Sequence, residues 1–314
     1  MPTSTDNAPV AIITGAGRGL GREHALALAK AGWHLVVNDL GGAGDGTGAD
    51  TTPAQQVVAE IEALGGKAVA NGANVANWQQ AGEMIQQAVD TFGRLDGLVN
   101  NAGILRDRVL VNMTEEDWDL SINVNLKGTF APLHHAAAYW RKLSKDTGGP
   151  VTAAVVNTSS ASGLYSAPGQ ANYAAAKAGV ASMSVVAARE LARYGVRVNV
   201  LAPVAATRLT DSVMRDEMKQ KFIASLVPPL VVYLLGAEAA EAGITGRVFE
   251  MGGGAISAVN MPLPAVAKRT DGDGLWSQEA LARIIPSLVE QLAEPATSAS
   301  AAKFMFTSPI EGQQ

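Results

Sequence analysis

Short β-branched runs alternate with longer alanine-rich stretches of helical periodicity along most of this chain. Strands are predicted over residues 10–13, 34–38, 67–71, 98–100, 151–158, 197–201 and 247–251, and helices over residues 22–31, 54–64, 77–92, 116–140 and 172–194. This alternation predicts a parallel sheet covered by helices. Runs that are apolar throughout, such as residues 151–156, are typical of strands buried on both faces.

Two segments interrupt the alternation. A glycine-rich loop over residues 41–52 follows the second predicted strand, and residues 261–314 form a tail whose helical stretch, 277–292, is interrupted by Pro286. Because the tail is too short for an independent core, we interpret it as a C-terminal extension packed on the main domain or on a partner subunit. The predicted main domain covers residues 1–260 and includes a substrate lid at about 205–225, by its position after the sixth strand.

Composition and charge exclude several classes of function. The 314 residues contain no cysteine, which excludes disulfides, thiolate metal sites and cysteine nucleophiles. The four histidines have no zinc-motif spacing, so no metal is predicted. A net charge of −5 argues against nucleic-acid binding. The most apolar stretch, residues 226–235, is too short to span a membrane, and residues 1–7 do not resemble a signal peptide. A soluble, cytoplasmic protein is expected.

A glycine-rich turn, Thr14-Gly-Ala-Gly-Arg-Gly-Leu-Gly21, joins the first predicted strand to the first helix. Glycines at 15, 19 and 21 would let the backbone turn sharply and let a pyrophosphate approach the helix N-terminus, where free N–H groups and the helix dipole favour negative charge. The turn could simply be a tight connection. Its position after a strand favours dinucleotide binding.

Asp39 closes the second predicted strand, about 20 residues after Gly19, which is the separation expected for the acid that binds the adenosine ribose. A carboxylate there would repel the 2′-phosphate of NADP, so NAD is the predicted cofactor. Arg18, in the glycine turn, could instead pair with a 2′-phosphate, which keeps NADP as the less favoured alternative.

Tyr173 and Lys177 are four residues apart on a predicted helix and therefore project from one face. A phenol with an ordinary pKa of about 10 is a poor base at neutral pH, and a neighbouring ammonium is expected to lower that pKa. Ser160 ends the fifth predicted strand, at the edge where ligands bind in open α/β sheets. These three side chains predict a proton-transfer site.

Together these motifs resemble the short-chain dehydrogenase/reductase family, over about residues 10–254. The residues that carry the resemblance are 14–21, Asn100-Asn-Ala-Gly103, Asn125-Leu-Lys-Gly128, Ser160 and Tyr173-x-x-x-Lys177. Segments 37–42, 100–108, 158–165, 169–173, 207–210 and 227–230 are similar to the (3R)-hydroxyacyl-CoA dehydrogenase domains of peroxisomal multifunctional enzymes type 2 and their stand-alone bacterial relatives. The fold implied is α/β, a single Rossmann-type doubly wound sheet of about seven parallel strands with helices on both faces and a C-terminal extension.

The resemblance implies hydride transfer coupled to proton transfer. Tyr173 would exchange a proton with the substrate oxygen, and Ser160 would hydrogen-bond that oxygen. Lys177 would also bind the nicotinamide ribose, and Asn125 would hold a water of the family's proton relay. The implied cofactor-binding residues are Gly15, Arg18, Gly19, Leu20, Gly21, Asp39, Asn74, Val75, Asn101, Ala102, Gly103, Tyr173, Lys177, Ala205 and Thr207, with Arg208 beside the last. Asn74 departs from the usual aspartate of the family, although its amide oxygen still accepts a hydrogen bond.

The implied reaction is the NAD-dependent oxidation of a 3-hydroxyacyl-CoA in β-oxidation of fatty or steroid side chains. Arg106 and Arg108 could meet the phosphates of coenzyme A or lie in a solvated loop. Met214, Met218 and Phe222 recur at four-residue spacing in the lid and could line an apolar pocket or form a plain packing stripe.

Other functions remain open on the same motifs. A hydroxysteroid dehydrogenase would act on a ring alcohol, and an NADPH-dependent 3-oxoacyl carrier-protein reductase is favoured by Arg18 and opposed by Asp39. A dinucleotide sensor without catalysis is disfavoured by the intact catalytic set. The family resemblance also implies a homodimer or homotetramer, which alanine-rich helix faces such as residues 174–176 would permit by close packing.

Overall fold

A single eight-stranded sheet organises the part of the chain that the computed structural model describes, residues 7–207, 209–210, 214–259 and 284–286. Its strands are β1 Val10–Thr14, β2 His34–Asn38, β3 Ala68–Asn71, β4 Gly97–Asn100, β5 Ala153–Thr158, β6 Val196–Pro203, β7 Val248–Gly252 and β8 Ala255–Val259. The helices are α1 Gly19–Lys30, α2 Thr52–Ala63, α3 Trp78–Phe92, α4 Glu115–Ile122, α5 Gly128–Thr147, α6 Ala161–Tyr165, α7 Ala171–Leu191, α8 Asp216–Lys221, α9 Pro228–Leu235 and α10 Ala237–Glu241. The predicted α/β architecture is confirmed.

The strand order is β3-β2-β1-β4-β5-β6-β7-β8, and neighbouring strands are parallel except for the β7–β8 pair. The chain moves outward from β1 to β3 and then returns to place β4 beside β1. Ligands bind in such sheets outside the carboxyl ends of the strands, where the direction of winding reverses. Thr14 and Asn100 end the two strands at this point.

The sheet is buried on both faces because its inner strands are apolar throughout. Successive residues of a strand point to opposite faces, so Ala11 and Ile13 of β1 belong to one core and Val10 and Ile12 to the other. The first core is closed by residues of α1, α2 and α9, and the second by residues of α3, α5 and α7. This double covering confirms the doubly wound arrangement.

The sequence pattern does not predict the eighth strand. β8 pairs antiparallel with β7 through a tight connection at Gly253 and Gly254, whose φ angles are 58° and 81°. Glycine adopts such angles without steric cost. A glycine pair between two β-prone runs was the available signal. Helices α6, α8, α9 and α10 are also absent from the predicted pattern.

The helix predicted over residues 116–140 is a longer helical segment with a change of pitch. α4 begins with a capping box between Thr114 and Asp117, passes into a π-helical stretch, Asn123–Lys127, and continues as α5. The segment ends beyond its predicted boundary, at Gly148 in the left-handed conformation. π-Helical turns are frequent at functional sites, and this one carries Asn125.

The predicted C-terminal extension, residues 261–314, lies outside the described residues apart from 284–286, which are helical. Its packing on the domain or on a partner is therefore left as a prediction. Among the helices that the structure describes, none combines the length and the apolarity that crossing a bilayer requires.

Candidate active site

The turn between β1 and α1 can accommodate only glycine at two of its positions. A Cβ atom on Gly21 would lie 2.1 Å from the carbonyl oxygen of Gly15, and one on Gly15 would lie 2.7 Å from the Cα of Ala102. Gly15 also has a φ of 63°. The predicted reason for glycine at these positions, close backbone approach in a sharp turn, agrees with this geometry.

The N-terminus of α1 lies beside open space. A Cβ on Gly19 would meet nothing closer than the side chain of Thr207, 3.7 Å away. Arg18, at the N-cap, is exposed and its side chain makes no capping hydrogen bond. Leu20 packs against the core and anchors the first helical turn. Free N–H groups at a helix N-terminus bind anions. The space beside Gly15, Gly19 and Gly21, called the glycine cradle below, therefore fits the pyrophosphate of a dinucleotide.

The Asn-Asn-Ala-Gly segment after β4 is tied to the same turn. The hydroxyl oxygen of Thr14 accepts hydrogen bonds from the backbone N–H groups of Asn101 at 3.0 Å and Ala102 at 3.1 Å. The side-chain amide of Asn101 donates to the carbonyl oxygens of Thr14 and Gly15. These bonds cross the winding reversal between β1 and β4, so the Asn101 side chain braces the cradle.

Asp39 stands at the end of β2 with its carboxylate against the glycine turn. Its Oδ2 accepts a hydrogen bond of 2.7 Å from the N–H of Gly17, and its Oδ1 accepts one of 2.6 Å from Gly41. Each carboxylate oxygen can accept more than one hydrogen bond, so both can still receive ribose hydroxyls. A 2′-phosphate at this position would face a negative charge.

Asn74 and Val75 lie in the loop after β3, as predicted. The side-chain oxygen of Asn74 accepts from the N–H of Ala76 at 2.9 Å. Val75 is buried and packs where α5 begins, because a Cβ on Gly128 would lie 2.7 Å from its Cγ2. The loop is thus fixed against the helical segment that carries Asn125.

The structure brings Ser160 and Tyr173 into hydrogen-bonding contact. Ser160 caps α6, and its Oγ accepts from the N–H of Ser162 at 3.2 Å. Burial raises the pKa of Tyr173 to about 12, and the negative charge of Asp107 adds to the effect, while the hydrogen bond with Ser160 opposes it. The expected lowering of this pKa by Lys177 is therefore wrong for this structure, because the desolvation of the phenolate dominates.

Lys177 lies one helical turn after Tyr173 and is almost completely buried. Its Nζ donates to the carbonyl oxygen of Thr158 at 2.9 Å and lies 5.7 Å from the centre of the Tyr173 ring. Burial lowers the pKa of Lys177 to about 8. An ammonium has three donors, so two remain for a ligand when Thr158 takes one.

Asn125 is fully buried beside the same lysine. Its side-chain N–H groups donate to the carbonyl oxygens of Ser121 at 3.0 Å and Ile104 at 3.1 Å. A Cβ on Gly103 would lie 2.7 Å from Oδ1 of Asn125 and 3.6 Å from Nζ of Lys177. A glycine at position 103 therefore leaves room for the Asn125 side chain, which any larger residue would displace.

Ala205 and Thr207 follow β6 on the far side of the cradle. The hydroxyl of Thr210 donates to the carbonyl of Ala205 at 2.8 Å and accepts from the N–H of Thr207 at 2.9 Å, which closes a compact turn. Arg208 and residues 211–213 of the predicted lid lie outside the described residues. The described remainder of the lid contains α8.

Met214, Met218 and Phe222, which recur at four-residue spacing in the lid, lie in two different environments. Phe222 is buried and packs under the glycine hairpin, because a Cβ on Gly253 would lie 3.0 Å from its ring. Met214 and Met218 are half-buried. Phe222 is thus a packing residue, in agreement with the plainer of the two interpretations.

The two arginines after the Asn-Ala-Gly motif also differ. Arg106 is held by ion pairs of 3.3 Å to Glu116 and Asp117 and donates to the carbonyl of Asp45. The interpretation of Arg106 as a coenzyme A contact is therefore less favourable, because Nε and Nη1 are engaged within the protein and two carboxylates already balance its charge. Arg108 is exposed, and Nη1 of its side chain donates to the carbonyl oxygen of Asp107.

Sequence reasoning missed two polar groups near the site. Asp107 accepts a hydrogen bond from Gln170, which also accepts one from the hydroxyl of Ser162. Tyr165 donates to the buried carboxylate of Glu250. These partners are far apart in the chain, and no local pattern marks them. Asp107 lies between Arg106 and Arg108, and the sequence assigns a possible role to the two arginines alone.

Comparisons with known proteins agree with this geometry. A family model described as short chain dehydrogenase matches residues 9–220. The crystal structure of a short chain dehydrogenase from Mycobacterium avium superposes with a TM-score of 0.81 at 46% sequence identity, covering 94% of this chain and 99% of that chain.

Named relatives include proteins of acyl-thioester metabolism. The hydroxyacyl-CoA dehydrogenase ChsB1 of Mycobacterium tuberculosis is 44% identical over 84% of this chain and 83% of its own length. The peroxisomal multifunctional enzyme type 2 of Mus musculus is 42% identical over 79% of this chain, which spans only 32% of that larger protein. A 3-oxoacyl-[acyl-carrier-protein] reductase of Synechocystis is 41% identical over 79% of this chain and 97% of its own length. The similarity to hydroxyacyl-CoA dehydrogenases predicted from the sequence is confirmed.

Proposed function

This chain belongs to the short-chain dehydrogenase family, which implies a nicotinamide cofactor, and on that premise we propose that it oxidises a 3-hydroxyacyl-CoA to a 3-oxoacyl-CoA with NAD. The observation that carries the proposal is the contact between Ser160 and Tyr173, one helical turn from buried Lys177 and at the same sheet edge as the glycine cradle. This arrangement can hold a substrate hydroxyl and move its proton.

Tyr173 would accept the proton of the substrate hydroxyl, and a bound nicotinamide would supply the hydride acceptor for the carbon that bears this hydroxyl. Ser160 accepts a hydrogen bond from Ser162, so its own hydroxyl proton, which is directed to Tyr173 in this structure, would be donated to the substrate oxygen when substrate is bound. Lys177 uses one donor on Thr158 and would offer the others to the nicotinamide ribose and to the phenolate form of Tyr173 that accepts the proton. Asn125 keeps acceptor capacity at Oδ1 for a relay water.

The proposed cofactor site follows the cradle from one end to the other. The α1 N-terminus would hold the pyrophosphate, Asp39 would hold the adenosine ribose, and Lys177 would hold the nicotinamide ribose. The residues assigned to it are Gly15, Arg18, Gly19, Leu20, Gly21, Asp39, Asn74, Val75, Asn101, Ala102, Gly103, Tyr173, Lys177, Ala205 and Thr207.

NAD is preferred to NADP because the Asp39 carboxylate is fixed. Two backbone N–H groups hold it against the cradle at 2.7 Å and 2.6 Å, so it cannot swing away from a 2′-phosphate without losing both bonds. Arg18 is exposed and makes no cap contact, so a pairing with a 2′-phosphate would cost the conformational entropy of an exposed arginine side chain.

An acyl-CoA substrate is supported by the names of the relatives and by the mouth of the site. Arg108 is exposed there, and the apolar side chains of Val109, Leu110 and Val111 that follow it are 55%, 71% and 90% exposed. A cation beside apolar surface suits a ligand with phosphates and a long apolar chain. The carrier-protein reductase alternative is favoured by the Synechocystis relative and opposed by Asp39.

We extend the proposal to the assembly and to the domain boundaries. A shallow apolar groove between α5 and α7 is lined by Leu126, Phe130 and Met183, and nearby Val186 is 50% exposed. Burying these faces in a homodimer or homotetramer would remove that apolar surface from water. Light scattering at micromolar concentration tests the assembly, and a monomer would contradict it. Residues 1–260 form the proposed domain and 261–314 its extension.

The test of the reaction is NADH formation with a panel of (3R)- and (3S)-hydroxyacyl-CoA thioesters, together with free hydroxysteroids and NADP controls. We expect turnover with thioesters and with NAD. Turnover confined to free steroids would support a hydroxysteroid dehydrogenase instead, and strong NADP preference would support the reductase. We expect Tyr173→Phe to lower kcat by roughly 100- to 10,000-fold.

Tyr233→Phe is the matched control, since it removes the same hydroxyl from a residue of α9 that is 41% exposed. We expect wild-type turnover from this variant. If Tyr173→Phe retained wild-type turnover as well, the assignment of the catalytic base would be wrong.

A further inference from the structure

The carboxylate of Asp107 has one satisfied oxygen and one unsatisfied oxygen. Oδ2 accepts a hydrogen bond of 2.7 Å from the side-chain amide of Gln170. Oδ1 is buried and has no hydrogen-bond partner among the described residues. A buried acceptor without a donor costs free energy, and native structures keep few of them, often for a functional reason.

Asp107 lies between the two segments that carry Ser160 and Tyr173. Gln170 stands directly before α7, and its side-chain oxygen accepts from the hydroxyl of Ser162 at 2.5 Å. The backbone N–H of Arg108 donates to the carbonyl of Gly169 at 2.8 Å. The charge of Asp107 is close enough to raise the pKa of Tyr173. Asp107 is therefore linked through Gln170 and Ser162 to the segment that carries Ser160, and its carboxylate lies near Tyr173.

Neither neighbouring arginine neutralises this carboxylate. Arg106 directs its guanidinium to Glu116 and Asp117, and Arg108 donates to the main-chain carbonyl of Asp107 instead of its side chain. An ion pair therefore does not explain the aspartate, and a neutral amide would serve the bond to Gln170 equally well. What the carboxylate adds is a strong acceptor at Oδ1.

We propose that Asp107 is a substrate-binding residue whose Oδ1 accepts a hydrogen bond from the first amide N–H of the pantetheine arm of an acyl thioester. This inference rests on the proposed function and identifies the part of the substrate that Asp107 would recognise. The substrate hydroxyl is engaged by Tyr173 and Ser160, and a simple acyl chain offers no second donor. The nearest N–H lies two methylene groups beyond the thioester sulfur. A free steroid alcohol has no such group.

The test compares three 3-hydroxybutyryl thioesters that share the reacting carbon. The CoA and N-acetylcysteamine thioesters carry the amide N–H, and the S-ethyl thioester lacks it. The measured quantity is the ratio of kcat/KM for an amide-bearing thioester to kcat/KM for the S-ethyl thioester. Any effect of Asp107 on the pKa of Tyr173 acts on all three substrates and cancels in this ratio.

We expect Asp107→Ala to lower the ratio by roughly 10- to 100-fold for both amide-bearing substrates, the effect of losing a hydrogen bond to a charged group. Asp107→Asn keeps a weaker acceptor, so its ratio should fall by less, and this variant serves if the alanine protein does not fold. Glu116→Ala, which removes an exposed carboxylate paired with Arg106, is the matched control and should keep the wild-type ratio.

An unchanged ratio in both Asp107 variants would overturn the inference while leaving the proposed function intact. A fall in kcat/KM of the same size for all three thioesters would also overturn the inference, because it would indicate a structural or purely electrostatic role for Asp107. Absence of wild-type turnover on every thioester would instead refute the proposed function, and the inference with it.

Discussion

The phenol of Tyr165 donates a hydrogen bond of 2.7 Å to Oε2 of Glu250 and so joins the end of α6 to β7. Glu250 is only 2% exposed, and the hydroxyl of Ser257 on β8 lies 3.5 Å from the same oxygen. Because Ser160 caps α6 at its other end, this bond fixes the short helix that follows the proposed catalytic serine. We interpret the pair as support for the position of Ser160.

Glu250→Gln should become more stable relative to the wild type as the pH rises. Burial raises the pKa of Glu250 above its ordinary value, so the folded wild type loses stability as the pH rises through that range and the carboxyl ionises. A glutamine never ionises and still accepts from Tyr165. The free energies of unfolding of both proteins, measured in urea at pH 4 and pH 8, should diverge at pH 8. An equal difference at both values would contradict the pKa assignment.

The parts of the site that the sequence could predict are those set by local geometry. Tyr173 and Lys177 share a helix face because of their spacing, and Ser160 ends a strand that is recognisable by its apolar run. The collisions that a Cβ on Gly15 or Gly21 would cause follow from the sharp turn that the glycine spacing already indicates.

The parts that could not be predicted depend on contacts between distant segments. Gln170 meets Asp107 across 63 positions of the chain, and no periodicity marks that pair. The predicted lowering of the pKa of Tyr173 is wrong, because the pKa depends on how deeply the phenol is buried and the packing of distant segments decides that. β8 was missed because its residues alternate between half-buried and exposed, without the continuous apolar run that marks the inner strands.

Ser160→Ala should slow oxidation and move its pH profile to higher pH. The hydrogen bond with Ser160 opposes the rise in the pKa of Tyr173, so its loss should raise that pKa further and require higher pH for the base to ionise. Loss of the donor to the substrate oxygen should itself cost roughly 100- to 1,000-fold in kcat. Because the pKa of Tyr173 is about 12, both effects lower kcat/KM at every pH between 7 and 10, and kcat/KM over this range measures their combined size.

Ser182→Ala is the matched control for this prediction, because Ser182 is an exposed residue of α7. Its profile should coincide with that of the wild type. The reverse reaction uses the neutral phenol as an acid, so the Ser160→Ala profile for reduction should keep its shape at neutral pH. A shift of the oxidation profile to lower pH would contradict the role of Ser160.

Asp39→Ala should weaken the preference for NAD over NADP. The change removes a charged acceptor for the ribose hydroxyls and the repulsion of a 2′-phosphate, so the ratio of kcat/KM for the two cofactors should fall by roughly 10- to 100-fold. It also leaves the N–H groups of Gly17 and Gly41 without their acceptor, so some loss of stability should accompany it. Asp45→Ala, in the same loop with its carboxylate bonded to Thr47, should keep the wild-type ratio. If the ratio were unchanged in Asp39→Ala, the assignment of Asp39 to the cofactor site would be wrong.

His24 should make the protein sensitive to mild acid. The residue is completely buried in α1, both ring nitrogens have no hydrogen-bond partner within the described part of the chain, and burial lowers its pKa to about 3. The unfolded chain, with an ordinary histidine pKa, therefore binds a proton that the folded protein does not. The stability that a neutral His24 permits is present above pH 6.5 and is lost as the pH falls below that value.

By this linkage His24 should cost the wild type about 2 kcal/mol of unfolding free energy between pH 7.5 and pH 5. His24→Leu cannot titrate and fits an apolar core, so urea unfolding at the two pH values should show a smaller decline in this variant by that amount. His24→Gln is polar but does not titrate, so it should lose stability at both pH values and share the flatter dependence of the leucine variant. If the wild type and both variants declined in parallel, a partner for the imidazole would have to exist, and His24 would not be the source of acid sensitivity.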